Sequence, residues 1–294
     1  MFDGLHVGHT TLLAALADEG RKRHLQTLVV TFDHHPRSVV CPDRAPALLQ
    51  TSQQRIDSLC RQPGIDAVLP LTFTPALADT DSADFLRLLT EHYGMAALMM
   101  GYNHRLGHDR ATFAEVVANA PTGIDVVKAP EYLGPQAPVS STLVRSLLAA
   151  GRVADAMHCL GRPYALHGTV VAGFHNGRGI GFPTANVGNI PPELLLPHNG
   201  AYAVLVRLPG ETLKQGMVNI GTRPTLDNGH QLSVEVNIFD FDRDIYGQPI
   251  SLLFVGFLRL EFKMCSVDDL RQQLSADRDR AKQILNDYLQ NPLQ

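Results

Sequence analysis

Short apolar runs alternate with helical patterns along the first half of the chain. Apolar runs that read as buried strands lie at residues 26–32, 67–73, 96–101 and 125–129. Between them, apolar positions recur at helical spacing around residues 52–60, 82–93 and 111–118. Because strands that alternate with helices are joined by right-handed crossovers, this half predicts an α/β domain with a doubly wound parallel sheet.

The second half of the chain has a different pattern. Residues 141–160 are wholly helical in pattern, and the sequence Gly161-Arg162-Pro163 interrupts them. The β-rich runs that follow are separated by Gly, Pro, Asn and Asp, which is typical of an antiparallel barrel or sandwich. A last apolar stripe predicts a C-terminal helix with Ser266 as its N-cap. We therefore predict two domains, residues 1–161 and residues 162–294.

Composition adds limits on the class of protein. A length of 294 residues with 45% hydrophobic and 18% charged residues favours two globular domains. A formal net charge of −4 argues against a general nucleic-acid surface. The four scattered cysteines favour a reduced, cytoplasmic chain over a zinc protein. No apolar run approaches the roughly 18–20 residues of a membrane span, and no signal-peptide pattern opens the chain. We therefore expect no nucleic-acid and no membrane partner, and the pattern specifies no oligomeric state.

Two histidines stand directly before the first helical pattern, in the stretch "FDGLHVGHTTLL". Backbone N–H groups at a helix start attract phosphate, and imidazoles beside them can donate to a developing pentavalent phosphorus. His6, Gly8 and His9 are therefore candidates for phosphate chemistry. Spacing alone favours a plain polar helix start with two solvated histidines, and a metal pair is weaker still because no third ligand lies at a useful spacing.

Three further segments of the first half carry polar groups where ligands bind. "TFDHHPRSV" places His35 after the strand at 26–32, and "GYNHRLGH" places Asn103 after the strand at 96–101. The carboxyl ends of strands are the ligand-binding edge of doubly wound sheets. "VSSTLVR" sets hydroxyl groups before a helix and an arginine one turn inside it, which suits phosphate oxygens but also suits a plain N-cap. Its candidate residues are Ser140, Ser141, Thr142 and Arg145.

A glycine-rich segment, "NGRGIGFPTANV", is the most specific signal in the second half. Its glycines, Gly177, Gly179 and Gly181, free the backbone for close approach to phosphate, although such loops often only turn the chain. Thr184 and Asn186 then offer a hydroxyl and an amide oxygen, which are hard ligands suited to Mg²⁺.

Glu235 lies in the middle of a predicted strand, "LSVEVNIF". Alternation places Val234 and Val236 on one face and Glu235 on the other. A lone carboxylate in this position is usually a solvated residue on the outer face of a sheet, so the strand pattern alone gives Glu235 no role.

Taken in order, these segments resemble the bifunctional riboflavin kinase/FAD synthetase family of bacteria, over nearly the whole chain. The first half is similar to that family in its F-D-G, H-x-G-H, H-P and S-S-T-x-x-R residues, and it departs from it at His34, His104 and Leu106. The second half is similar to the riboflavin kinase module through G-F-P-T-A-N and "DFDRDIYG", with Met264 in place of a usual phenylalanine.

The resemblance implies a nucleotidyltransferase domain followed by a small antiparallel β-barrel kinase domain with a C-terminal helix. The implied reactions are riboflavin plus ATP giving FMN plus ADP, and FMN plus ATP giving FAD plus pyrophosphate, with Mg²⁺ bridging the phosphates. A kinase with a degenerate first half and a non-catalytic flavin-binding protein remain alternatives. The implied partners are the small molecules riboflavin, FMN and ATP.

Each matched residue takes an implied role from this resemblance. Glu235 is the implied general base of the kinase, with Thr184 and Asn186 as metal ligands. His6 and His9 are implied to hold the ATP phosphates and to stabilise the transition state of adenylyl transfer. The implied ATP- or phosphate-binding residues are Gly8, His35, Ser140, Ser141, Thr142, Arg145, Gly177, Gly179 and Gly181. The implied flavin-side residues are Asn103, Arg259 and Glu261.

The resemblance also implies a buried strand directly before Phe2-Asp3-Gly4, of which only Met1 stands in this sequence. In doubly wound sheets of this type the first strand is central. Five apolar side chains, at roughly 1.5–3 kcal/mol each, would contribute on the order of 10 kcal/mol to a domain, which is comparable to a whole domain's stability. We therefore expect a native start upstream of Met1. Otherwise the strand at 26–32 should have an uncovered ladder.

Overall fold

The computed structural model describes residues 1–172, 179, 181–224, 230–261 and 266–293. Contacts divide the chain into two compact units, Met1–Ser140 and Ser141–Gln294. Within the described residues, no helix has both the length and the apolar character needed to cross a membrane.

The first unit is an α/β fold with parallel strands, as predicted. Strand β1 (Leu28–Phe32) pairs in parallel with β2 (Ala67–Leu71), and β3 (Ala97–Met100) pairs in parallel with β4 (Asp125–Lys128). These are two separate ladders, so within the described first unit β1 pairs with β2 alone and β3 with β4 alone. Thr27 donates its backbone N–H to the Asp66 carboxylate at 2.7 Å, and strand pairing begins only after this side-chain contact.

The helices of the first unit range from 4 to 17 residues, and most begin at a side-chain cap. They are α1 (Val7–Arg23), α2 (Pro36–Val40), α3 (Ser52–Cys60), α4 (Pro75–Ala78), α5 (Ser82–Tyr93) and α6 (Phe113–Asn119). Thr51 and Gln54 form a reciprocal capping box that fixes the start of α3. Leu13 of α1 packs with Val29 of β1 and Leu59 of α3 in one buried cluster, so α1 is held against the sheet.

Two helices open the second unit, α7 (Ser141–Ala149) and α8 (Val153–Leu160). The helical pattern predicted over 141–160 thus forms two helices, with a break at 150–152. Gly151 causes the break, because its φ of +74° is left-handed and a helix cannot continue through it. Both helices belong to the same contact unit as the barrel, and this unit begins at Ser141. The predicted domain boundary after residue 161 stays a prediction.

A closed antiparallel β-barrel forms the body of the second unit, which confirms the predicted barrel. Its strands are β5 (Tyr164–Val171), β6 (Ala185–Gly188), β7 (Gly200–Arg207), β8 (Lys214–Pro224), β9 (His230–Ile238) and β10 (Pro249–Arg259). They close in the order β10-β5-β6-β9-β8-β7. The last helix, α9 (Val267–Gln290), begins at the predicted N-cap Ser266, whose hydroxyl accepts the Asp269 N–H at 3.0 Å.

Alternation along the strands separates the barrel interior from the face that α9 covers. Met217 packs in one buried cluster with Ala281 and Leu285 of α9. Because the interior of a barrel with only six strands is filled by side chains, α9 packs on its outside, and Met217 and the residues that share its face point outward. Val218 and Ile220, on the opposite face of β8, are buried inside the barrel.

Candidate functional sites

The first candidate site is the turn that leads into α1. Asp3 accepts hydrogen bonds from the backbone N–H groups of Leu49 and Gln50 at 3.1–3.2 Å, which fixes this turn. His6 is the N-cap of α1, and its Nδ1 accepts the backbone N–H of His9 at 3.3 Å. A neutral imidazole that accepts at Nδ1 carries its proton on Nε2. His6 therefore offers Nε2–H as its hydrogen-bond donor.

His6 and His9 lie face to face, with ring centroids 3.6 Å apart and ring planes 17° from parallel. Gly8 makes this possible, because a Cβ there would lie 3.3 Å from the His6 ring. Burial lowers the pKa of His6 to about 4. Burial, and secondly the neighbouring His6, lower the pKa of His9 well below its usual value. Both imidazoles are thus neutral at pH 7, so they act as hydrogen-bond donors rather than as cations.

The segments that follow β3 and β4 lie beside the start of α1. A Cβ on Gly8 would lie 3.9 Å from Cβ of Tyr132, in the segment after β4. Leu12 of α1 comes within 3.4 Å of the Cβ position of Gly101, in the turn that carries the exposed Asn103. These contacts bring segments that are distant in sequence to the edge where His6 and His9 lie.

His35 and the Ser140–Arg145 segment open helices, as their sequences predict. His35 is the N-cap of α2, and its Nδ1 accepts the Arg37 N–H at 3.1 Å. Ser140 stands directly before α7, and Ser141, Thr142 and Arg145 lie in its first turns, with Arg145 half-buried. Their phosphate-binding roles remain predictions.

Asp109 is a residue that the sequence analysis did not single out. Its carboxylate accepts the backbone N–H of Ser82 at 3.0 Å and the Ser82 hydroxyl at 2.7 Å, so it caps α5 from a distant loop. These bonds, the Ser82 hydroxyl first, lower the pKa of Asp109. Gly107 permits the close approach, because a Cβ there would lie 2.3 Å from the Ser82 nitrogen. The loop that carries Asn103 is thereby fastened to α5.

The second candidate site is a transverse row of residues on the outer face of the barrel. Asn186 of β6 pairs across the ladder with Glu235 of β9, and Glu235 pairs in turn with Asn219 of β8. The row continues through Ala201 of β7 to Arg259 of β10. Directly paired residues have Cβ atoms only about 4.5–5.5 Å apart. The barrel register therefore places one amide side chain on each side of the carboxylate.

Glu235 stands at the centre of this polar group. Val234 and Val236 are buried, whereas Glu235 is half-buried on the opposite face, as alternation predicts. The Thr184 hydroxyl donates to Oε2 of Glu235 at 3.4 Å, a long hydrogen bond between the segment before β6 and the middle of β9. Thr184 and Glu235, which are 51 residues apart in the sequence, thus meet with Asn186 on one face.

These oxygen atoms fit a bound Mg²⁺. Within the described residues, no group of three or more His, Cys, Asp or Glu side chains could hold a metal ion by itself. Thr184 and Asn186 instead add a hydroxyl and an amide oxygen beside the Glu235 carboxylate, and Mg²⁺ prefers such hard ligands, keeping several waters and binding phosphates.

The glycines predicted to bind phosphate and the residues predicted to bind flavin, Arg259 and Glu261, have different surroundings. Gly181 has a φ of +82°, which favours glycine, while Gly179 has open space around its Cβ position. Gly177 lies outside the described residues. Arg259 donates from Nε to the buried carboxylate of Asp277 on α9 at 2.7 Å. The Glu261 carboxylate fills the space beside Gly221, where a Cβ would lie 2.3 Å from its Oε1.

Asn219 and Asn237 share the outer face with Glu235 and were not singled out from the sequence. Asn219 stands in "VNIG" and Asn237 in "LSVEVNIF", and alternation places both on the same face as Glu235. Their periodicity could have placed them on this face. The partner strand of each could not be read from the sequence, because register depends on the whole barrel.

Comparisons with known proteins match both halves of the chain. The family model described as FAD synthetase matches residues 1–143, and the model described as riboflavin kinase matches residues 160–285. These two matches cover the two candidate sites.

Individual relatives extend over nearly the whole chain. A bifunctional riboflavin kinase/FMN adenylyltransferase of Escherichia coli is 36% identical and covers 96% of this chain and 90% of that protein. One of Haemophilus influenzae is 34% identical over 97% of this chain and 92% of that protein. A solved structure from Streptococcus pneumoniae, described as a macrolide-efflux protein, has a TM-score of 0.87 and 30% identity over 96% of this chain and 91% of its own. The chain belongs to the bifunctional riboflavin kinase/FMN adenylyltransferase family.

Proposed function

We propose that this chain makes FAD from riboflavin in two ATP-dependent steps, phosphorylation at the barrel and adenylyl transfer at the start of α1. The observation that carries the proposal is the meeting of Thr184, Asn186 and Glu235 on one barrel face, because passive flavin binding needs neither a base nor metal ligands. Membership of a family whose named relatives carry both activities supports the second step.

In the kinase step, Glu235 acts as general base. It takes the proton from the terminal hydroxyl of riboflavin as that oxygen attacks the γ-phosphorus of ATP, and ADP leaves. Thr184 and Asn186 would hold Mg²⁺, which supplies charge neutralisation at the phosphates when bound. The half-buried position of Glu235 limits its access to water, and Asn186 and Asn219 are its direct cross-strand neighbours.

In the second step, an oxygen of the FMN phosphate attacks the α-phosphorus of ATP, and pyrophosphate leaves. The protein contributes by positioning and by stabilising charge. His6 donates from Nε2, which its cap bond leaves protonated, and His9 lies stacked on it. Ser140, Ser141, Thr142 and Arg145 would bind the departing pyrophosphate, Gly8 and His35 the ATP phosphates, and Asn103 the FMN.

Separate assays of the two half-reactions test this proposal. Glu235→Gln should lower FMN formation from riboflavin by about 10²–10⁴-fold and leave FAD formation from added FMN unchanged. The pair His6→Ala with His9→Ala should show the reverse. Glu193→Gln and His92→Ala, which alter exposed residues, are matched controls and should change neither rate. Chromatography of the products would contradict the base assignment if Glu235→Gln phosphorylated riboflavin within threefold of the parent chain.

The same assays distinguish the kinase-only alternative. A parent chain that forms FMN from riboflavin but no FAD from FMN would favour a kinase with a degenerate first half. We also propose a cytoplasmic location. The free thiols of Cys41, Cys60 and Cys159 support it, since thiols persist in a reducing compartment.

A further inference from the structure

Asn237 lies two residues after Glu235 on the same outward face of β9. Its side-chain amide donates from Nδ2 to the carbonyl oxygen of Pro183 at 2.6 Å. Asn237 is only 6% exposed. Its cross-strand partner is Met217, and Phe182 and Phe239 are also buried in the cluster to which Met217 belongs. The donor amide is thus buried, whereas Pro183, which supplies the acceptor, is itself exposed.

The bonded carbonyl belongs to the residue directly before Thr184. Strand β6 pairs with β9 through Ala185 with Val236 and Asn186 with Glu235, so Thr184 stands just ahead of the ladder. Proline has no N–H, and its carbonyl is the one backbone group it can use in a hydrogen bond. Asn237 therefore supplies a side-chain tie between β9 and the segment that enters β6.

We propose that Asn237 is a positioning residue for the kinase site: by holding the Pro183 carbonyl, it sets the place of the Thr184 hydroxyl relative to Glu235. This inference rests on the proposed kinase function and adds a residue to it. Glu235 and Asn237 are carried by one strand, while Thr184 and Asn186 enter from another. The hydrogen bond from the Asn237 amide thereby holds the proposed metal ligands, Thr184 and Asn186, at a fixed distance from the base.

Loss of the hydrogen bond between Asn237 and Pro183 should affect one kind of ligand and not another. Without the amide donor, Thr184 should move while Glu235 keeps its place within the β8–β9 ladder. We therefore expect the binding of Mg²⁺ with nucleotide to weaken and the affinity for riboflavin to stay the same. A general loss of packing would instead weaken both and lower the melting temperature of the whole unit.

The test compares Asn237→Leu, which keeps the volume but lacks the donor, with Asn237→Gln, which keeps an amide. Gln215→Leu is the matched control, since it removes an amide–amide hydrogen bond to Asn286 between β8 and α9. Calorimetry measures ADP binding at several Mg²⁺ concentrations and in EDTA, alongside KM values for ATP and riboflavin. If Asn237→Leu precipitates, Asn237→Asp replaces it, because an ionised carboxylate cannot donate to the carbonyl.

For Asn237→Leu we expect the gain in ADP affinity caused by Mg²⁺ to fall about tenfold, with binding in EDTA and the KM for riboflavin unchanged. Asn237→Gln should recover part of that gain, and Gln215→Leu should behave as the parent. Parent-like Mg²⁺ dependence in Asn237→Leu, or equal losses for ADP in EDTA and for riboflavin, would overturn the inference. A parent chain that phosphorylates no riboflavin would instead overturn the proposed function.

Discussion

At the scale of residues, the stacked histidines at the start of α1 show how burial selects one form of a side chain. Two imidazolium ions with centroids 3.6 Å apart would repel each other, and the buried position of His6 adds a desolvation penalty for charge. The neutral rings can instead stack and cap the helix. The phosphate chemistry proposed for them therefore depends on directed N–H groups and not on positive charge.

This neutral pair makes stability depend on pH. The pKa of His6 is about 4 in the folded chain and 6.5 in its ordinary state, so the unfolded chain binds more protons between these values. The contribution of such a histidine to the free energy of unfolding is fully present above pH 6.5. It falls as the pH drops, by up to about 1.4 kcal/mol per pH unit for each histidine. Urea unfolding at pH 7.5, 6.5 and 5.5 measures this slope.

His6→Asn is the matched variant, because asparagine still caps a helix but does not titrate. We expect it to lose about one histidine's share of the slope between pH 6.5 and 5.5. Identical slopes for the parent and His6→Asn would show that His6 is not held neutral by the fold.

The residues that sequence predicted well are those fixed by local chemistry. Alternation placed Glu235 opposite Val234 and Val236, and the capping pattern placed Ser266. The Asn237 bond to Pro183 spans 54 residues and depends on the closure of β6 against β9, so no local pattern indicates it. The stacking of His6 on His9 likewise depends on a backbone turn that is fixed by Asp3.

At the scale of elements, the loop between β3 and α6 is held by the start of another helix. Asp81 is the N-cap of α5 but makes no side-chain cap bond, and Asp109 supplies that bond instead. The His108 N–H also donates to the Thr80 carbonyl at 2.9 Å. The turn with Asn103 is therefore anchored through a helix terminus, which attracts a carboxylate by its dipole.

Asp109→Ala should release this loop and raise the KM for FMN several-fold, because Asn103 lies in the freed segment. Riboflavin phosphorylation should not change, since its residues lie in the other unit. Asp81→Ala removes a carboxylate from the same helix start without breaking a cap bond, and it serves as the control. Equal KM values for FMN in the parent and Asp109→Ala would show that the anchor does not serve the flavin side.

Element boundaries followed from sequence where the chain supplies its own caps. The predicted helices at 52–60 and 82–93 are confirmed as α3 and α5, and Thr51 with Gln54 closes a local capping box at the first. The strand predicted from residue 26 begins at Leu28, because the Asp66 carboxylate takes the Thr27 N–H. The break at Gly151 was missed, since a single glycine does not by itself reveal a left-handed φ.

At the scale of the whole molecule, the histidines proposed for adenylyl transfer and the base proposed for the kinase belong to different contact units. His6 and His9 lie in Met1–Ser140, and Glu235 lies in Ser141–Gln294. A chain altered at one of these places keeps the residues of the other reaction intact. FMN is the product of one reaction and the acceptor of the other. FMN that one molecule of the protein releases can therefore serve as the substrate of another molecule.

Mixing two complementary variants tests that connection. Glu235→Gln alone should form FMN from riboflavin at most at about a hundredth of the parent rate, and the chain with His6→Ala and His9→Ala should accumulate FMN with little FAD. Because FMN is a small, water-soluble product, an equimolar mixture should form FAD after a lag, at a rate that rises with the concentration of the Glu235→Gln chain. The control is that chain supplied with FMN at the level measured in the mixture, which should give the same rate within about twofold. A mixture that accumulates FMN but makes no FAD, while the control does, would contradict exchange through solution.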